Sequence, residues 1–518
     1  MVNRVVLLIF AFLVQSFAYG NDVSVTNVSL VNQNTTDDFT MIRFDIAWSN
    51  SWRTSTLESN WDAAWVFVKY RRALETVWHH ATLNTTGHTT PAGATLSIPA
   101  DGMGAFIYRG SDGIGGVSWT GVELRWNYGI DGLQDYDNVE IAVFAVEMVL
   151  VPQGSFYLGD TSPTVAGQFE AATSSQSFQL TSEGAITLGG GNPGSLGNNN
   201  SAGMASAEDF NDVTSQTLPA VFPKGFNGFY CMKYEMSQRQ YVEFLNRLTR
   251  TQQATHASAI VIGRYMSNEA GWSISAQFRN GIRLLSDPGA PLPRVYGNDL
   301  NGNGTVNESD DGENIACNWI SITTYLAYLD WAALRPMTEL EFEKSCRGVL
   351  TSVTSEYAWG NTNITGATGI LNTAQANELT SNASANCVYN NSAGVQGPLR
   401  TGVFAQASAS RQSSGSTYYG IMEMSGNLWE YCIKVGNTQG RNFAGTHGDG
   451  ELNASGYKTN TDWGNDTGTS HAVCLRGSDW LGVSLNWLTV SSRYFAVWAN
   501  EASTIYSTTT ARGVRTAL

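Results

Sequence analysis

The sequence predicts an α+β chain: an all-β, sandwich-like domain in front, then a larger domain of irregular strands, few helices and long loops. Three observations predict it. Short alternating apolar and polar runs, separated by Gly, Asn, Asp and Thr, fill residues 22–146 without a helix-period segment. Capped apolar stripes at helical spacing occur only in the second half of the chain. Only 14% of the 518 residues are charged, against 53 glycines, a balance suited to a β-rich extracellular protein. The formal net charge is -15. With no basic patch to offset it, nucleic acid and anionic membrane are disfavoured as partners.

In chain order, Arg4 precedes the apolar run VVLLIFAFLV (5–14), and SFAYG (16–20) supplies small residues near a cleavage point. Residues 1–20 therefore read as a secretory signal peptide, too short in its apolar part to span a bilayer. No later stretch is apolar enough to span, so the expected location is secreted, extracellular or at the cell surface. Residues 21–146 read as the β-sandwich domain, with strands beginning near Val23 and in MIRFDIAW (41–48), AWVFVKYR (64–71), GAFIYR (104–109), VELRWNY (122–128) and VEIAVFAVEM (139–148). Trp48, Trp52, Trp61, Trp65, Trp78, Trp119 and Trp126 are its aromatic load. Most suit a core, and an exposed subset would offer stacking surfaces. N-x-S/T sequons, among them Asn27, Asn84 and Asn363, allow for a glycoprotein.

The second domain, 147–518, carries a Gly/Ser/Asn-rich insertion at 160–218 that reads as a surface excursion. Ser237 and Gln240 then form a capping box ahead of an apolar stripe of Tyr241, Phe244, Leu245 and Leu248. A second helix is expected at 321–334 with Ile322, Tyr325, Leu326 and Leu329 inward, and a third opens at Thr338 with Glu341 as its box partner. Within a further insertion, 290–316, the run DLNGNGTVNESD (299–310) spaces oxygen ligands as a Ca2+ loop does. Asp299, Asn301, Asn303 and Asn307 offer side chains, Thr305 its carbonyl, Gly304 the sharp turn, and Asp310 closes the loop. It resembles the EF-hand-type loop of dockerin modules, which also closes with Asp. An Asn/Gly-rich surface turn is the other reading of the same residues.

The stretch GIMEMSGNLWEYC (420–432) is the most informative. A tight Ser425-Gly426-Asn427 turn separates two carboxylates, Glu423 and Glu430, and lets them and freed backbone carbonyls aim at one point, as Ca2+ requires. This run resembles the G-L-x-D-M-x-G-N-x-W-E-W signature of the formylglycine-generating enzyme family, the sulfatase-modifying-factor domain. MVLVPQGSFYLGD (148–160), FYCMKYEMSQRQYVEFLN (229–246), RPMTELEFEKSCRG (335–348), YAWGN (357–361), CLRGSDW (474–480) and ARGVR (511–515) are similar to further family blocks, in family order.

The resemblance implies a C-type-lectin-like fold and a Ca2+ site built from the Glu423 and Glu430 carboxylates and the Gly426 and Leu428 carbonyls. A second family site would begin at Asn386 and Cys387, but its acidic residue is missing from 392–402. The family position of Cys346 pairs with a cysteine where this chain has Thr516. Most telling is catalysis. The family holds Cu(I) on two closely spaced cysteines after the R-G-G-S-[YW] strand and oxidises a substrate cysteine. Here Gly482 and Trp487 fall at or beside those positions, no cysteine follows Cys474, and no copper is expected. The six histidines lack the spacing that iron-dependent relatives use.

The expected function is therefore an exported, non-enzymatic structural or binding protein stabilised by Ca2+: a surface, matrix or filament subunit, with itself or an extracellular protein or glycan as partner. The alternative is a lectin-like recognition module using a C-terminal groove of Trp480, Asn486, Trp487, Arg493, Tyr494 and Trp498. A copper oxidase of protein cysteines, retained through other ligands, stands behind both.

Overall fold

The computed structural model describes residues 22–518 except 163, 258–260, 267–272, 407–408 and 498–499. The expected signal peptide and Trp498 lie outside the described residues. Strands β1 (Ser24–Asn34), β2 (Phe39–Arg53), β3 (Asp62–Arg72), β4 (His79–His80), β5 (Ala94–Ser97), β6 (Ala105–Arg109), β7 (Gly113–Trp126) and β8 (Val139–Val151) follow one another. Among the described residues of 22–146 there is no helix.

One sheet runs β1-β2-β7. An eight-stranded sheet has the order Arg335–Pro336, Gly513–Thr516, Phe229–Met232, β8, β3, β6, β5, with β4 beside β3. In β8, residues 139–149 pair with β3 and 148–151 pair with Phe229–Met232. The border expected at 146/147 thus falls inside a single strand.

Strand β3 explains why. Successive strand side chains point to opposite faces. Ala64, Val66, Val68 and Tyr70 enter a core with Ile42, Phe44 and Ile46 of β2 and Val122 and Leu124 of β7. Ala63, Trp65 and Phe67 enter the main core with Tyr241, Phe244 and Trp331. A strand covered on both faces reads as one apolar run, as residues 63–68 do. Trp65 Nε1 donates to the Ala332 carbonyl at 2.9 Å, and Trp331 meets Phe67 and Phe144 edge-on. Each large apolar side chain buried this way contributes about 1.5–3 kcal/mol.

Helix α1 (Gln238–Leu245) carries the expected Ser237/Gln240 capping box. Helix α2 (Arg250–His256), which sequence patterning did not anticipate, starts with the same device at Thr249 and Gln252. Helix α3 (Ile322–Trp331) has Ser321 as its cap, and α4 (Glu339–Arg347) has the Thr338/Glu341 box. The inward residues expected of α3 are buried, but so is every other residue of the helix. A short α5 (Thr438–Arg441) follows.

The insertion at 160–218 is more ordered than a surface excursion. Glu170–Ala171, Ile186–Gly189, Leu196–Gly197 and Ser215–Leu218 form a four-stranded sheet, and Leu188, Leu196, Phe210 and Leu218 join the main core. The whole is mostly β with few helices.

Candidate functional site

The turn of 420–430 is held in a strained conformation. Glu423 and Asn427 have φ of 59° and 66°, and Gly426 has φ of 88°. Left-handed non-glycine residues cost about 1–3 kcal/mol and persist only where neighbours impose them. Asn427 is gripped on both sides: its N–H donates to the Val388 carbonyl and its Oδ1 accepts from Leu399 N, each at 2.9 Å. Gly426 has no room for a side chain, since a Cβ there would lie 2.5 Å from Cys387 Sγ and 2.7 Å from the Val388 carbonyl oxygen.

The turn buries three carboxylates. Glu430 Oε1 accepts from Arg512 Nε at 2.8 Å, while Arg512 also donates to the Met232 and Met422 carbonyls. Glu423 Oε1 accepts from Gly402 N at 2.9 Å. The third, Glu235, was not singled out from sequence. Its Oε1 accepts from Leu428 N at 3.0 Å and its Oε2 from Asn427 Nδ2. The available signal was its place in KYEMS, directly after Lys233 and Tyr234 and in a block already matched to the family. Burial pushes the Glu423 carboxyl up to about 7, against the pull of Arg512. Burial also raises Glu430, with Arg512 opposing. Burial and then the charge of Glu423 raise Glu235 well above its ordinary range.

Glu423 Oε2 and Glu430 Oε2 are buried with no hydrogen-bond partner. Unpaired buried carboxylate oxygens are costly, and a hard cation relieves them. These two free oxygens are hard donors of the kind Ca2+ takes; Glu423 and Glu430, with the Gly426 and Leu428 carbonyls, are the residues that would hold it. At the second family position the Asn386 side chain is already engaged. It accepts from Thr365 N at 2.8 Å and donates to the Asn363 and Gln412 carbonyls.

The 299–310 loop is arranged differently. Asp299 is fully buried and pairs with Arg283, and its other oxygen accepts from Gly304 N at 3.4 Å. Asn301 Nδ2 donates to Asp310 Oδ1 at 3.0 Å, and Thr305 N donates to Asn303 Oδ1 at 2.7 Å. Asn307, at φ of 59°, accepts from Asn298 N at 3.1 Å. The acidic oxygens that gather are those of Glu308, Asp310 and Asp311, within 4.8 Å of one another. Only Asp310 belongs to the set expected from spacing.

Gly482 and Trp487, expected at or beside the family thiol positions, line a cleft of about 270 Å3. Its walls include Gly482, Trp487, Trp429, Phe495, Tyr506 and Asp479. Trp487 packs 4.8 Å from Tyr494, and Trp429 meets Phe495 edge-on at 5.3 Å. Asp479 Oδ1 accepts from Leu481 N at 2.6 Å and Gly482 N at 2.7 Å. Burial pushes its carboxyl up to about 6, these N–H groups opposing. A larger cleft of about 470 Å3 lies between the end of β1 and residues 133–139; it holds none of the family-derived positions.

Of the expected groove residues, Trp487 lines the cleft and Tyr494 packs on it. Asn486 is exposed and donates to the Thr164 carbonyl at 3.4 Å. Two leave the groove set. Trp480 is 1% exposed in a core with Leu428, its Nε1 donating to the Ser507 carbonyl at 3.0 Å. Arg493 is fully buried between Glu208 and Glu339. Glu208 comes from the 160–218 insertion, so the pairing had no signal in local spacing.

The six cysteines are buried thiols. Cys474 lies directly opposite Cys432 across the strands Val473–Arg476 and Trp429–Ile433. Leu475, its neighbour on the opposite strand face, lines the cleft. Burial raises both thiols well above their ordinary range, which disfavours the thiolate that Cu(I) needs.

A family model described as "Sulfatase-modifying factor enzyme 1-like domain" matches residues 140–518. Among solved structures, the chain is similar to "Major Tropism Determinant U1 Variant" at 15% identity, over 71% of this chain and 82% of that one, with a TM-score of 0.20. It is also similar to "Major Tropism Determinant I1 Variant" at 11% identity, over 86% and 85%, with a TM-score of 0.19. No curated protein matches it.

Proposed function

The chain belongs to the sulfatase-modifying factor enzyme 1-like family, and from that premise we propose that it is an exported, non-enzymatic binding protein. In this reading the family scaffold, C-type-lectin-like over 147–518, keeps a Ca2+-braced turn. The site of the redox thiols has become an aromatic recognition cleft. The β1-β2-β7 sheet over β3 and β6 serves as the sandwich-like front unit.

One observation carries the proposal. Gly482 and Trp487, at or beside the thiol positions, line an aromatic-walled cleft, while Cys432 and Cys474 face a core. Tryptophan and phenylalanine faces stack on sugar rings or apolar side chains, and Thr508 and Asp479 at the same cleft supply polar orientation. The ligand class is an extracellular glycan or peptide.

Trp487→Ala tests it on a glycan and peptide array. Ligand capture falls at least tenfold while thermal unfolding moves by only a few degrees. Unchanged capture by the variant, or no ligand for the wild type, sinks the recognition reading. Incubation with Cu(I), oxygen and a cysteine peptide leaves the peptide mass unchanged; conversion to formylglycine would restore the enzyme reading.

A structural-subunit reading has its own support. Strand β1 is an edge strand with Val28 and Leu30 exposed, and unpaired edges template strand addition. Light scattering that grows with concentration, and is lost on a charged substitution at Val28, distinguishes it.

A further inference from the structure

Neither the cleft nor the turn uses Lys233, Asp62 and Glu147. Lys233 Nζ lies 2.9 Å from Glu147 Oε2 and 3.2 Å from Asp62 Oδ2. The side chains of Lys233, Asp62 and Glu147 are 3%, 0% and 1% exposed. Asp62 Oδ1 accepts from Ser51 Oγ at 2.8 Å and Trp52 N at 3.0 Å. Its Oδ2 also accepts from Trp48 Nε1 at 2.9 Å. Lys233 reaches the Asn50 carbonyl at 3.3 Å, and the Trp52 ring lies 4.9 Å from Nζ. Glu147 Oε1 is buried with no hydrogen-bond partner.

We propose that the folded chain joins Lys233 Nζ to Asp62 Cγ in an intramolecular isopeptide bond, with Glu147 as the proton carrier. A nucleophile, an acyl carbon, a proton carrier and oxyanion donors meet in one dry pocket, which is what acyl transfer needs. The ammonium first gives a proton to Glu147. Nζ then attacks Cγ, and the tetrahedral oxygen at Oδ1 is held by Ser51 Oγ and Trp52 N. A second proton leaves Nζ, both protons end on Oδ2, and the C–Oδ2 bond breaks to release water. One ammonium and one carboxylate become one amide and one water, with no oxidant or cofactor. Oδ1 remains as the amide oxygen, and exclusion of solvent opposes hydrolysis.

Burial lifts Glu147 to about 7, with Lys233 opposing, so it can carry a proton near neutrality. Burial draws the Lys233 ammonium down, but Glu147, Tyr234 and Asp62 outweigh it and keep it charged before reaction. The first proton transfer is therefore the demanding step, and it replaces a buried ion pair by a neutral one.

Protease digestion and mass spectrometry of the folded full chain test this. A branched peptide containing Asp62 and Lys233, lighter by one water than its two parts, is expected. Linear peptides carrying both residues unmodified overturn the proposal, as does a water lost at any other site. Glu147→Gln, folded by circular dichroism, yields the linear peptides; branching that persists at the wild-type level removes Glu147 from its role. Lys233→Arg preserves the cation and abolishes the branch.

Discussion

Two acidic turns in this chain have similar ligand chemistry and different environments, one wholly buried and one graded from the buried Asp299 and Asp311 to the exposed Glu308. At 423–430 the carboxylates are buried, Arg512 pairs with Glu430 and acts on Glu423 by its charge alone, and two oxygens are left without partners. At 299–311 Asn301, Asn303 and backbone amides take up much of the acidic oxygen, and Glu308 is exposed. Residue spacing makes both look like cation sites. What separates them is how many oxygens the protein itself satisfies, and in how little water. The buried turn leaves two carboxylate oxygens unpartnered and a cation would relieve that cost; the loop leaves one, Asp311 Oδ1, and pairs its buried Asp299 with Arg283.

Removing the Arg512 guanidinium breaks the comparison most severely. Arg512→Ala leaves Glu430 buried and uncompensated, and urea unfolding should show a loss of about 3–5 kcal/mol. A loss below about 1 kcal/mol would mean that water already reaches the turn.

Next comes pH. Glu423 has a folded pKa raised from 4.5 to about 7, so the native state binds more protons than the unfolded chain between those values. Its contribution is fully present below about 4.5 and is lost as pH rises through about 7. In chelator, the melting temperature should therefore be higher near the acid end of that window than above it. Added Ca2+ should offset most of that loss, stabilising the fold above the window by about 2.7 kcal/mol at one hundred times its Kd. Glu423→Gln should flatten both responses; a calcium response that survives it moves the ion elsewhere.

The smallest effect sharpens the contrast. Asp310→Asn in the exposed loop should change stability in chelator by no more than about 0.5 kcal/mol. A large loss there would show that the loop, too, is under electrostatic load.

Local chemistry was legible in the sequence. The Ser237/Gln240 and Thr338/Glu341 boxes act within a single turn, and both start helices where the pattern says. The family blocks around 420–432 located the strained turn and two of its three carboxylates. What stayed hidden was pairing between distant segments. Glu235 reaches Leu428 and Asn427 from far along the chain, and Arg493 is claimed by Glu208 from an insertion that reads as loose. Trp480 looks like a groove residue until the 388–404 segment packs over it. Alternation in residues 63–68 is erased because both faces of β3 are covered, so a strand linking two regions read as part of one.

That linkage has an evolutionary corollary. Because β8 hydrogen-bonds to β3 on one side and to Phe229–Met232 on the other, the front segment is not a cassette that recombination could exchange freely. A crossover near residue 146 would leave the incoming module to supply a matching strand partner and a lid for Trp331. A variant of this chain without the front segment would need another partner for β8 and another cover for Trp331.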